Sequence, residues 1–276
     1  MTSPTTALWL VLCCLPWPAG ICRGCLAAEP PPAALSPPVR SANFVVEAPE
    51  AGLAQEVLSW AESLRSELLC RWDQLPRDTQ PPAWPRPVRI VVHRQHPGYY
   101  ATEFASDGSV TITLWAGDPQ LHSTVRHEVC HAVLHLRYPN RLLPRWLDEG
   151  LAVCQELPQE QQRLLAPLAR SPRRFSTRQL LHLRDYPREV ELFYAQSYSL
   201  TDFLIRRHGE LALLWFLEAS FALGQEAALR QVLGYADIEE LDRAWWSAVQ
   251  PSRWRGRTEP APLPLHPLPL QAAARW

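Results

Sequence analysis

His127-Glu-Val-Cys-His131 lies inside a run, Leu121–Leu136, whose apolar residues return at helical spacing. Residues four apart on a helix share a face, so the two imidazoles can meet one ion. Glu128 is turned about 100° from His127. Its carboxylate stays close to such an ion without ligating it, placed to take a proton from a water molecule. Zinc in a catalytic site needs a third protein ligand and keeps one open position. Pro144-Arg-Trp-Leu-Asp-Glu-Gly-Leu-Ala152 offers Glu149 on the next helical segment. A helix, a short turn and a returning helix bring it opposite the histidines. Gly150 would let those two helices approach closely.

Outward from this stretch, the chain divides in composition. Of its 276 residues 47% are apolar and 20% charged, a globular balance. That length suits one large domain or two small ones. The net charge of −1 excludes a strong field for nucleic acid or anionic membrane. No apolar run reaches the ~18–20 residues of a membrane span, and no repeat recurs. All cations are Arg, which reads as coding bias. Half of the prolines fall in residues 1–40 and 251–276, so the packed core is expected between 41 and 250.

At the start, Ala7–Leu15 is apolar and small residues follow to Ala28. This fits a signal peptide over 1–28, removed on export to a periplasmic, cell-envelope or secreted location. Residues 29–40 then read as a Pro-rich linker and 251–276 as an extended Pro-rich tail. Cys70, Cys130 and Cys154 would remain after cleavage, an odd set expected to be buried and reduced.

Asn43–Glu47, Val88–His93 and Val110–Leu114 read as strands. Leu53, Val57, Trp60, Leu64 and Leu68 mark an amphipathic helix over 51–72. Residues 76–87 form a Pro-rich loop. The 41–118 region is therefore expected as a small α/β unit, a mixed sheet with one long helix. Helices are expected after it over 121–136, 145–157, 197–208, 210–223, 226–233 and 238–249. The class is α+β.

HEVCH followed by WLDEGLA resembles the gluzincin zinc peptidases, and most nearly the bacterial peptidase MA-like proteins. Tyr194-Ala-Gln-Ser-Tyr198 and Phe203–Gly209 are similar to a helical segment of that family. The resemblance is strongest over 120–250. It implies a zincin-like fold and one Zn2+ held by His127, His131 and Glu149. Glu128 becomes the general base for hydrolysis of a peptide or protein substrate. Tyr194 and Tyr198 become the phenols that could stabilise an oxyanion, against the alternative of buried aromatics with satisfied hydroxyls. One departure stands out. Thermolysin-like members carry an Asp four residues after the third ligand to hold a zinc histidine, and here that position is Val153. The partner of the histidine must come from elsewhere. No G-A-M-E-N-like segment is present, so aminopeptidase activity does not follow.

Other residues invite assignment and are set aside. His135 lies ~12 Å from His127 along a straight helix, too far to share an ion. Arg137 stands where a metzincin would need His. Cys130 is turned away from His131 and reads as core. Arg145, Arg206 and Arg207 read as surface cations. The alternative function is a non-catalytic zinc-binding or helical interaction module, against which the intact Glu128 argues.

Overall fold

The computed structural model describes residues 9–13, 35–76, 79–98, 100–170 and 174–249. Strands β1 (Trp9–Cys13), β2 (Val39–Arg40) and β3 (Phe44–Glu47) precede helix α1 (Ala51–Trp72). Strands β4 (Val88–His93), β5 (Tyr100–Phe104) and β6 (Val110–Trp115) follow, then α2 (Leu121–Arg137). The remainder is helical: α3 (Arg145–Val153), α4 (Pro158–Arg170), α5 (Thr177–His182), α6 (Val190–His208), α7 (Glu210–Leu223), α8 (Gln225–Leu233) and α9 (Ile238–Val249). The α+β class is as expected. Among the described residues, no helix is long and apolar enough to cross a membrane.

The chain forms two compact units. The first carries the sheet, α1, α2 and Gln155–Gln161. Its strands lie in the order β1-β5-β6-β4-β3-β2. β3, β4 and β6 are mutually parallel, whereas β2, β5 and β1 run antiparallel to their neighbours. Parallel β3 and β4 require a crossover, which α1 supplies. The buried stripe of α1 is Ala54, Val57, Ala61, Leu64 and Leu68. Leu53 and Trp60 of the expected stripe are only half-buried. Trp60 instead stacks on His122 with ring centroids 4.5 Å apart.

Besides β1, which lies in the apolar leader, two strands are not marked by the sequence pattern. β2 is two residues long, and β5 (YATEF) lacks apolar alternation because one of its inward residues is the polar Thr102. Tyr100, Thr102 and Phe104 share one face of β5. That face meets α2, where Phe104 stacks on His135 at 4.4 Å. Trp9–Cys13, within the apolar leader, pairs with β5. Residues 14–34 of the leader and linker, and the tail 251–276, lie outside the described residues.

α2 begins where Asp118 accepts hydrogen bonds from the Gln120 amide at 2.8 Å and the Thr124 hydroxyl at 2.6 Å. It ends before Pro139, which disfavours helix at Tyr138. Val125, Val129 and Val133 cost it a few tenths of a kcal/mol each in helix propensity. All three are buried. Burial returns about 1.5 kcal/mol or more for each, so packing decides the conformation.

The second unit carries Asn140–Cys154 and the helices from Gln162 onward. α3 ends at Val153 rather than running to Leu157. α4 and α5 were not anticipated. α6 starts at Val190, about two turns before the expected Ser197, so Tyr194 and Tyr198 are both helical. Gly150 plays a different part from the one expected. A Cβ there would lie 2.0 Å from Thr201 Oγ1 and 2.7 Å from the Ser197 carbonyl oxygen, both on α6. The glycine thus serves the approach of α3 to α6. Asp242 of α9 ties down the start of α5, accepting 2.7 Å bonds from both Arg174 terminal nitrogens and a 2.6 Å bond from Thr177 Oγ1. Those bonds, the Arg174 pair first, hold its carboxyl down at about 2.

Candidate metal centre

α2 is buried without a break from His127 to Leu134, and this central position delivers its polar residues to the interior. His127 Nε2 and His131 Nε2 lie 3.1 Å apart. Zn–N bonds of ~2.0–2.1 Å in a tetrahedral site put neighbouring donors ~3.3 Å apart, so the pair is preset to that spacing. His127 Nδ1 lies 2.7 Å from Glu156 Oε1. In the tautomer with the hydrogen on Nδ1, the ring donates to this carboxylate and leaves Nε2 free to ligate. Glu156 therefore does for His127 what Val153 cannot. The sequence pattern does not point to Glu156, because a helix running through Leu157 puts it two turns beyond Glu149. The actual stop at Val153 redirects the chain.

Glu128 is fully buried. Thr102 Oγ1 of β5 donates to its Oε2 at 2.7 Å and also lies 3.1 Å from its main-chain oxygen. Oε1 has no hydrogen-bond partner among the described residues. A buried carboxylate oxygen left bare costs on the order of 1–3 kcal/mol or more.

Glu149 of α3 is also fully buried. It accepts a hydrogen bond from the Tyr186 hydroxyl. Tyr186 sits in the turn before α6, a Tyr-Pro step whose composition signals only a loop. His127 and His131 are buried in the first unit, and Glu149 is buried in the second. Two imidazole nitrogens and a carboxylate are a zinc-type donor set. This donor chemistry and the 3.1 Å nitrogen spacing fit a single divalent ion.

The remaining residues fall as follows. Tyr194 is buried in an aromatic group with Tyr186, at 6.1 Å, and Phe193, at 5.7 Å. Tyr198 is buried one turn further along α6. His135 packs on Phe104, and Cys130 is fully buried. Cys70, Cys130 and Cys154 are not joined to one another. Arg145 is not a plain surface cation: it packs on the Tyr186 ring.

No curated protein matches this chain. A family profile described as Peptidase MA superfamily matches residues 110–251, just over half of the sequence, and spans β6, α2, α3 and the helices to α9. The chain belongs to the peptidase MA superfamily.

Proposed function

We propose that this protein hydrolyses peptide bonds with one zinc ion held by His127, His131 and Glu149. The observation that carries the reading is the 3.1 Å spacing of the two buried imidazole nitrogens on α2, in the segment the superfamily profile matches together with Glu149. Bound there, zinc supplies Lewis acidity to the scissile carbonyl and makes water a better nucleophile near neutral pH. His127 is oriented by Glu156. Glu128 takes the proton of the attacking water on Oε1 and delivers it to the leaving amine. Its Oε2 stays tied to Thr102, which fixes the direction in which Oε1 faces. Tyr194 and Tyr198 are the phenols we assign to the developing oxyanion.

Elemental analysis of the purified chain tests the ligand set. One equivalent of zinc is expected in the wild type, with sharp loss in His131→Ala. A peptide-library screen tests the activity, with cleavage abolished by a chelator and restored by zinc. Full zinc retention in His131→Ala would overturn the ligands. Zinc bound without any cleaved peptide would favour a non-catalytic module.

The reading includes export. The apolar stretch Ala7–Leu15 and the small residues up to Ala28 support a cleaved leader. Processing would remove the partner of β5 and leave that strand as a sheet edge. Intact-mass measurement on native material decides it, a mass that includes Met1–Ala27 being the contrary result.

A further inference from the structure

We infer that Tyr186 is a positioning residue for the metal ligand Glu149, holding one of its carboxylate oxygens so that the other alone faces the ion. The inference deepens the proposed zinc-site reading and rests on it. Tyr186 Oη donates to Glu149 Oε1. A phenol carries a single hydrogen, so the one committed to Glu149 cannot also serve an oxyanion. That separates Tyr186 in role from Tyr194 and Tyr198.

The phenol is held on several sides. Its ring lies edge-on to Phe193 at 5.9 Å and stacks with Tyr194 at 6.1 Å. The Arg145 guanidinium sits 4.4 Å from the ring centroid. Arg145 Nε in turn donates to the Arg184 carbonyl at 2.8 Å, two residues before the tyrosine. A cation over the ring face draws electron density from it and makes the hydroxyl a stronger donor. Packing around the ring thus holds the hydroxyl in place. A hydrogen bond that takes up one oxygen of a carboxylate favours ligation through the other. Glu149 then fills one coordination position instead of two, which keeps a position open for water or substrate.

Tyr186→Phe in the full-length protein tests this, because it keeps the ring and removes only the hydroxyl. Zinc affinity, measured by chelator competition, should weaken about 10–100-fold. Cobalt(II) in place of zinc should show a weaker visible absorption band in the variant, because the released Oε1 becomes a second donor and raises the coordination number. The thermal midpoint of the metal-free variant should match that of the metal-free wild type. Tyr186→Leu should lose affinity and metal-free stability together. Unchanged affinity and cobalt spectrum in Tyr186→Phe would overturn the inference alone. So would a loss of affinity matched by an equal loss of metal-free stability, which would make the hydroxyl a fold support. A wild type that takes up neither zinc nor cobalt would overturn the metal site, and this inference with it.

Discussion

α2 and α3 each bury a glutamate completely, and they hold it by different means. Glu128 is tethered through Oε2 to a threonine hydroxyl on strand β5, and its Oε1 has no partner among the described residues. Glu149 is tethered through Oε1 to a phenol in the turn before α6. A sheet strand is stiff, and it fixes the direction of a carboxylate whose other oxygen must meet a moving proton. A turn is less stiff, and here an arginine and two aromatic rings immobilise it. In the proposed function, the same residue type serves as base or as ligand according to what each of its oxygens is given to do.

The strongest way to break this contrast is to make both glutamates amides. Glu128→Gln should keep zinc and fold while losing about 10²–10⁴-fold in turnover. Glu149→Gln should lose zinc affinity itself. Turnover with a cleavable peptide, read beside metal content, separates the two, and wild-type turnover in Glu128→Gln would refute the base. Thr102→Val sharpens the point, since it frees Oε2 without touching a ligand. It should lower turnover less than Glu128→Gln and leave zinc bound.

Next in size is Gly150→Ala. The new methyl would meet Thr201 and the Ser197 carbonyl at impossible distances. Forcing α3 from α6 should cost about 3 kcal/mol, a fall in thermal midpoint on the order of 10 °C. A variant as stable as wild type would show that the close approach is wrong. Thr201→Ala in the same chain should restore part of the loss, with the Ser197 carbonyl still in the way.

Glu156→Gln should cost less. The amide can still accept from His127 Nδ1 but gives up the charge, so zinc affinity should fall about 10-fold. An unchanged dissociation constant would leave the histidine oriented by something else.

The smallest effect separates the site from its scaffold. His208 ends α6 beside Tyr235, 3.2 Å from its hydroxyl. Burial, and then the Arg207 charge, depress its folded-state pKa from 6.5 to about 4. The unfolded chain therefore binds the proton first. The stability this group contributes is complete above pH 6.5 and is lost as the pH falls toward 4. Denaturation midpoints of His208→Gln should decline less between pH 6.5 and 4 than those of wild type. Equal slopes would remove His208 as the source.

What was legible in the sequence is what is local. His127, Glu128 and His131 lie within five residues, and one helical turn carries their geometry. Glu149 was legible because its helix follows directly. The supporting residues were not. Thr102 stands in a strand without apolar alternation, Glu156 depends on where α3 stops, and Tyr186 is 37 residues from the carboxylate it holds. Each is placed by tertiary packing, which no periodicity records. The early start of α6 was missed for a related reason. Phe193, Tyr194 and Ala195 are buried in succession, so no amphipathic pattern marks that turn.

The Glu149-Gly150 pair joins two demands that can drift apart over evolutionary time. In the proposed function the glutamate answers to the ion, whereas the glycine answers to the crowding against Ser197 and Thr201. A descendant that no longer needed the metal would be free to replace the first and still be compelled to retain the second. In such a lineage a glycine after a vanished glutamate would be a fossil of the helix pairing, and it would mark a folded relative that has given up chemistry. A sequence that lost both would have changed its architecture as well.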